Sequence, residues 1–204
     1  PNDGGRVRLR KLSGAIVQEV NYNDRFPWPV AADGTGHSLV LARASYGEGD
    51  VRAWAESHGV GGSPGAADPV PLDELDHVFV SALLSNSDLP LEDFVELRNA
   101  SPVAVNVSGC TLSDARDTLG PFMIPAGTSI PGNGTRRFSE SELGFALGSQ
   151  GDALYLTNPA QTRVLDAVQF PASATDVPFT RARSDAPLRA ASTPVIVINE
   201  IMFH

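Results

Sequence analysis

The sequence predicts an all-β fold assembled from sandwich modules, and three observations carry that expectation. Short apolar runs alternate with polar residues at a period of two, as half-buried strands do. Nineteen Gly and sixteen Pro punctuate the 204 residues; one roughly every six residues suits turns between short strands and interrupts helices. Finally, sequence patterns recur at long offsets, the mark of a repeated unit.

The elements follow in order. Arg6-Val7-Arg8-Leu9-Arg10 and Ile16 to Tyr22 read as two strands. They are echoed by Ala153-Leu154-Tyr155-Leu156-Thr157 and Val164 to Phe170, with an offset of 148 residues between Ile16 and Val164. In both later strands the apolar face carries a polar second member, Gln18 in one and Asp166 in the other. A long tail runs from Asn23 to Asp68 and contains a strand from Ser38 to Ala42. Gly59 to Gly65, through Pro71, is rich in Gly and Pro and reads as a linker. Asp73 to His77 has room for one helical turn.

Strands are then expected near 78–84, 93–98, 103–107, 120–124, 135–139, 153–157, 163–170 and 178–183, with a helical turn around Ser139 to Leu143. Turn signals such as Asn99-Ala100-Ser101-Pro102 and Pro131-Gly132-Asn133-Gly134 separate them. Seven or eight short strands with turns at this spacing form the pattern of an immunoglobulin-like sandwich. A second echo relates Val78–Leu84 to Ile196–Met202, aligning Val80 with Ile198 and Leu83 with Ile201. The chain therefore parses into the C-terminal half of one module (1–68), a linker (69–74), a complete module (75–193) and the opening strand of a further one (194–204).

Composition narrows the function classes. Hydrophobic residues make up 42% and charged residues 19%, a globular balance. Fifteen basic against twenty-four acidic residues argue against nucleic acid as a partner, because binding phosphate needs a basic surface. The basic run Arg6 to Lys11 reads as a solvated sheet face. The single cysteine, Cys110, excludes an intrachain disulfide and reads as a small core residue rather than a catalytic thiol. No stretch approaches the roughly 18 apolar residues of a membrane-spanning helix. The chain starts at Pro1, without initiator Met or signal segment, so a removed segment or a longer parent protein is expected.

Several motifs in order resemble the lamin tail domain as it occurs in bacterial secreted proteins. They are Ile198-Asn199-Glu200-Ile201 followed by Met202-Phe203-His204, the acidic–aliphatic strand Glu92 to Asn99, Ser108-Gly109-Cys110-Thr111-Leu112-Ser113-Asp114, Ile124-Pro125-Ala126-Gly127-Thr128 with Ile130-Pro131, and Gly151-Asp152 before Leu154-Tyr155-Leu156. In the first part, Pro27-Trp28-Pro29, Asp33-Gly34-Thr35-Gly36-His37-Ser38-Leu39, Trp54 to Ser57 and Gly62 to Gly65 are similar to that family's closing section. The complete module departs from the pattern: Ser81-Ala82 stands where Asn199-Glu200 stands later, and its closing section lacks Trp-Pro. The resemblance implies a secreted or cell-surface location and a binding or spacing role, sometimes beside enzymatic domains that this chain does not contain.

Searching for chemistry leaves little. His37, His58, His77 and His204 share no ligand-like spacing with one another or with Cys110. Asp33-Gly34-Thr35-Gly36 reads as a glycine turn in preference to a protease loop. Asp24, Asp33, Glu48 and Asp50 make calcium the least disfavoured ligand, although solvation is the commoner role of such a loop. Trp28 and Trp54 are either a sugar-stacking platform or the cover of a core end. The remaining feature is the apolar run Val195, Ile196, Val197, Ile198, Asn199, Glu200, Ile201, Met202 and Phe203, a strand that needs a partner edge. The reading is a non-catalytic structural or adhesive module, expected to pair through this strand with the first half-module, in the same chain or head-to-tail in another copy. The alternative is a carbohydrate- or calcium-binding accessory module of a larger extracellular enzyme.

Overall fold

A computed structural model describes residues 3–69, 73–118, 120–181 and 200–201. The chain is all-β in character, with antiparallel sheets throughout, and divides into two compact units, Pro1–Val70 with Pro187–His204 and Pro71–Ala186. No described helix is long and apolar enough to cross a membrane.

In the first unit β1 (Gly5–Arg10) and β2 (Ile16–Tyr22) form a hairpin. Its loop is closed by Lys11 N donating to Ala15 O and Gly14 N donating to Lys11 O, both 2.8 Å. Two further short strands, β3 (Leu39–Leu41) and β4 (Trp54–Glu56), pair with each other. β3 lies inside the strand expected from Ser38 to Ala42. β4 has no alternating run long enough to announce it.

The described residues of the second unit form ten strands: β5 (Val78–Leu84), β6 (Phe94–Asn99), β7 (Val105–Asn106), β8 (Thr111–Ser113), β9 (Phe122–Met123), β10 (Ser129–Ile130), β11 (Thr135–Ser139), β12 (Gly151–Thr157), β13 (Val164–Pro171) and β14 (Phe179–Thr180). They form sheets ordered β11-β6-β5-β14 and β13-β12-β8-β9, with β10-β7 as a separate pair. The expected helical turns are present as a 3-10 turn, Glu74–His77, and the helix α1 (Glu140–Leu143). α1 starts where it does because Ser139 and Glu142 make a reciprocal capping box, and it stops at Gly144, which takes a left-handed conformation. The two four-stranded sheets bury their facing side chains in one cluster. Val80, Leu83, Val95, Leu97 and Phe138 come from one sheet; Leu112, Leu154, Leu156, Val168 and Phe170 come from the other.

The last described strand, β15 (Glu200–Ile201), belongs to the first unit and extends its sheet to the order β15-β3-β4. Ile201 is buried with Val20, Tyr22, Leu39 and Trp54 in the core of that unit.

Both echoes in the sequence have structural counterparts. In the first hairpin Val7 faces Val20, Leu9 faces Gln18, and Arg10 faces Ile16 after a bulge that skips Val17. In the second hairpin Leu154 faces Val168, Leu156 faces Asp166, and Thr157 faces Val164 after a bulge that skips Leu165. Pairing and bulge coincide position for position. An extra residue in the same place is a feature that chance pairing does not reproduce, since it re-aims every side chain beyond it.

Candidate functional site: the completed sheet of the first unit

β3 is a three-residue strand, too short to hold a sheet by itself. Its partners complete it on both sides: Leu39, Val40 and Leu41 face Glu56, Ala55 and Trp54 of β4, and Leu39 and Val40 face Ile201 and Glu200 of β15. The β15 side matches a pairing in the second unit, where Leu83 and Ala82 of β5 face Phe179 and Thr180 of β14. Leu83 corresponds to Ile201, as the sequence echo requires, and β14 corresponds to β3. β15 thus pairs with β3 in the register that β5 uses with β14 in the second unit. Of the apolar run 195–203, Glu200 and Ile201 lie in this strand. Val195, Ile196, Val197, Ile198, Asn199, Met202 and Phe203 lie outside the described residues.

Trp54 is a core residue, 5% exposed, with its indole N–H donating to Glu48 O at 3.0 Å. Trp28 is partly buried against the same cluster, and the two rings are tilted with centroids 6.2 Å apart. Trp54 covers the core end and has no face open for stacking on a sugar.

The Asp33 to Gly36 segment is a turn, with Gly34 and Gly36 at φ of 78° and 86°. A Cβ on Gly36 would sit 2.8 Å from Val60 Cγ1, so both backbone conformation and space favour glycine there. Beyond it His37 Nδ1 contacts Ser57 O at 2.8 Å, while Ser57 Oγ accepts from Ser38 N and donates to Gly59 O. His37 and Ser57 are only 2% and 1% exposed, which makes the pair a buried link between β3 and the segment after β4 and shields it from substrate.

The acidic tail does not converge. Glu48 accepts from Gln18, Asp50 pairs with Arg52, and Asp24 lies 4.0 Å from Arg25. Hydrogen bonds from Arg52, first from its side chain and then from its backbone, lower the Asp50 carboxyl to about 2. Among the described residues no three His, Cys, Asp or Glu side chains gather as a metal site.

The second unit contains polar groups that sequence reasoning passed over. Asp166, on β13, accepts from Val80 N at 2.8 Å and forms an ion pair with Arg181, whose Nε donates to Val80 O at 2.8 Å. Val80 sits beside the bulge at Ser81, where β5 has outrun its two-residue neighbour β14. The carboxylate and guanidinium therefore occupy the N–H and C=O that a longer strand would have bonded. The signal was present in Asp166, a charged residue on an apolar strand face. Likewise Arg163, 7% exposed, is held by Asp73 and Asp76 of the 3-10 turn. Cys110 is fully buried, and burial, aided by the charge of Asp73, pushes its thiol up to about 12. A cleft of about 460 Å³ lies between Leu84, Leu91, Phe94 and Arg137, where the guanidinium stacks 4.2 Å from the Phe94 ring and pairs with Glu96.

No protein-family model matches the chain, and no curated protein matches it.

Proposed function

We propose that the chain is a non-catalytic structural or adhesive module that joins to its neighbours by strand addition, in a secreted or cell-surface setting, and that its units are immunoglobulin-like sandwiches of the lamin-tail type. One observation carries the reading. The sheet of the first unit is completed by β15, a strand separated from β3 and β4 by the whole intervening unit, in the register that the second unit uses internally. A strand supplied from so far along the chain can equally be supplied by another copy, and head-to-tail exchange of that kind links modules without new chemistry. The polar clusters support the same reading: Asp166 with Arg181 and His37 with Ser57 are engaged with backbone groups, as structural links are.

Sedimentation velocity over a range of concentrations tests this, with the full chain beside a variant lacking 194–204. The full chain is expected to grow beyond the monomer as concentration rises. The deletion variant is expected to stay small and to show red-shifted Trp emission, because Ile201 no longer covers Trp54. A strict monomer whose Trp emission is unchanged by the deletion overturns the proposal.

A further inference from the structure

The two hairpins share their register, yet β12 is paired on both of its sides and, among the described residues, β1 on one. β12 is flanked by β13 on one side and by β8 on the other, with Tyr155 opposite Ser113, Leu156 opposite Leu112 and Thr157 opposite Thr111. The residues of β1 that correspond to Tyr155, Leu156 and Thr157 are Arg8, Leu9 and Arg10. Among the described residues β1 is paired with β2 alone. The apolar face at that end is uncovered as well. Leu9 is 38% exposed where Leu156 is fully buried, and Ile16 and Val17 are about half exposed where Val164 and Leu165 are buried.

Charge says what such an edge accepts. Arg6, Arg8 and Arg10 alternate along β1 and project to the face opposite Val7 and Leu9. Arg8 is paired with Glu19 across the hairpin. Arg6 and Arg10 meet no carboxylate within ion-pair distance among the described residues, and Arg10 donates only to Gly14 O. Antiparallel pairing of β1 with β1 of a second copy, centred on Val7 or Leu9, sets arginine against arginine, which is unfavourable on one sheet face. Basic side chains along an exposed edge are a familiar guard against that self-pairing. The same row attracts a strand of opposite charge.

We propose that the outer edge of β1, Arg6–Arg10, docks an extended acidic segment of a partner protein, in which Asp or Glu alternates with aliphatic residues. The segment adds antiparallel to β1 as β8 adds to β12. An aliphatic residue lies opposite Leu9, as Leu112 lies opposite Leu156, and carboxylates lie opposite Arg8 and Arg10. The proposal does not rest on β15, which belongs to the other sheet of the unit.

The probe is a capped peptide of alternating glutamate and valine, about seven residues long to match a strand. It is titrated into the full chain at low salt and followed by fluorescence anisotropy and by amide hydrogen exchange. Binding is expected to slow exchange in β1 and leave β12 unchanged. Two changes are each expected to weaken it about tenfold or more: Arg6→Glu with Arg10→Glu in the protein, and N-methylation of the peptide amides that face β1. Both arginines are exposed, and an unchanged Trp emission establishes that the variant is folded. Binding that survives N-methylation, equal binding of the lysine–valine peptide, or no protection of β1 at about 1 mM peptide overturns the proposal. So does a dimer of the protein alone that protects β1, which identifies a second copy as the occupant.

Discussion

The hairpins β1–β2 and β12–β13 are alike in the six pairings of the first and in the position of their bulge, but they live in different surroundings. β12 lies inside a four-stranded sheet whose face is sealed by an opposing sheet; among the described residues β1 has one neighbour and an inward face that is covered around Val7. Register is thus a local property, set by the alternation of side chains and the turn. Stability comes from whatever strands happen to lie alongside. The contrast is sharpest at two equivalent positions, Asp166 with Gln18 and Leu156 with Leu9, and substitutions there separate local pairing from tertiary cover.

The largest effect is expected at Asp166. Asp166→Ala leaves Arg181 without its carboxylate and Val80 N–H without its acceptor in a buried place, a loss of about 3–5 kcal/mol. Gln18→Ala removes a half-buried amide that donates to Glu48, which costs at most about 1.5 kcal/mol. The two units can be read separately in one denaturant titration. Both tryptophans, Trp28 and Trp54, lie in the first unit, and the single cysteine, Cys110, lies in the second. An Asp166→Ala variant whose Cys110 becomes reactive at the same denaturant concentration as wild type removes the ion pair from the account of this unit.

Next comes the cover itself. Leu156→Ala creates a cavity in the shared core and is expected to cost about 2–5 kcal/mol. Leu9→Ala, at a partly exposed position, should cost below about 1 kcal/mol. Equal losses would mean that β1 is covered as well as β12 is. The same contrast orders the unfolding. Among the described residues the second unit buries nineteen hydrophobic side chains in its main cluster and the first unit seven. A smaller core yields at lower denaturant, so the Trp emission should shift before Cys110 becomes reactive to iodoacetamide. In the native state Cys110 is expected to resist labelling at pH 8. A thiol at about 12 leaves on the order of one thiolate in ten thousand, and the sulfur is buried besides. Simultaneous transitions would show that the units unfold as one.

Much of this was legible before any coordinates. The hairpins, β5, β6, β11 and the turn α1 announce themselves through alternation and Gly–Pro punctuation. The echo of Leu83 in Ile201 aligns β15 with β5 and leads to the expectation of a partner in the first half-module; the register on β3 is known from the structure alone. What escaped were β4, β8 and β10, while the equally short β7, β9 and β14 fall inside expected runs. Thr111–Ser113 and Ser129–Ile130 are too brief for a period of two to be visible; the first forms on the edge of the longer β12, and the second pairs with the equally short β7. Trp54 has two defensible roles in sequence, and burial selects between them. Arg181 and Asp166 are fifteen residues apart in the chain; their meeting depends on how far β14 falls short of β5, which no local pattern records.

The smallest expected effect lies in the long tail of the first unit, where the second unit has no comparable loop between β13 and β14. Asp50 begins the 3-10 turn Val51–Ala53 by accepting from Arg52 N at 2.9 Å, and Arg52 returns to it with its guanidinium while stacking 4.9 Å from the Tyr46 ring. These bonds favour the ionised carboxylate, so its folded pKa is depressed to about 2 from an ordinary value of 3.8. The sign follows from linkage: the unfolded state binds the proton more readily, so the stabilisation is complete above the ordinary value and fades as pH falls through about 2. Because the pair lies at the surface in contact with solvent, the consequence belongs to the order of this turn and not to the stability of the unit. A carbon-detected titration of Asp50 is expected to show the depressed midpoint in the native chain. In Arg52→Ala the midpoint should move up toward 3.8, with Trp emission unchanged. A midpoint that stays low in the variant would transfer the cause to the turn backbone alone and leave the Arg52 side chain without a role.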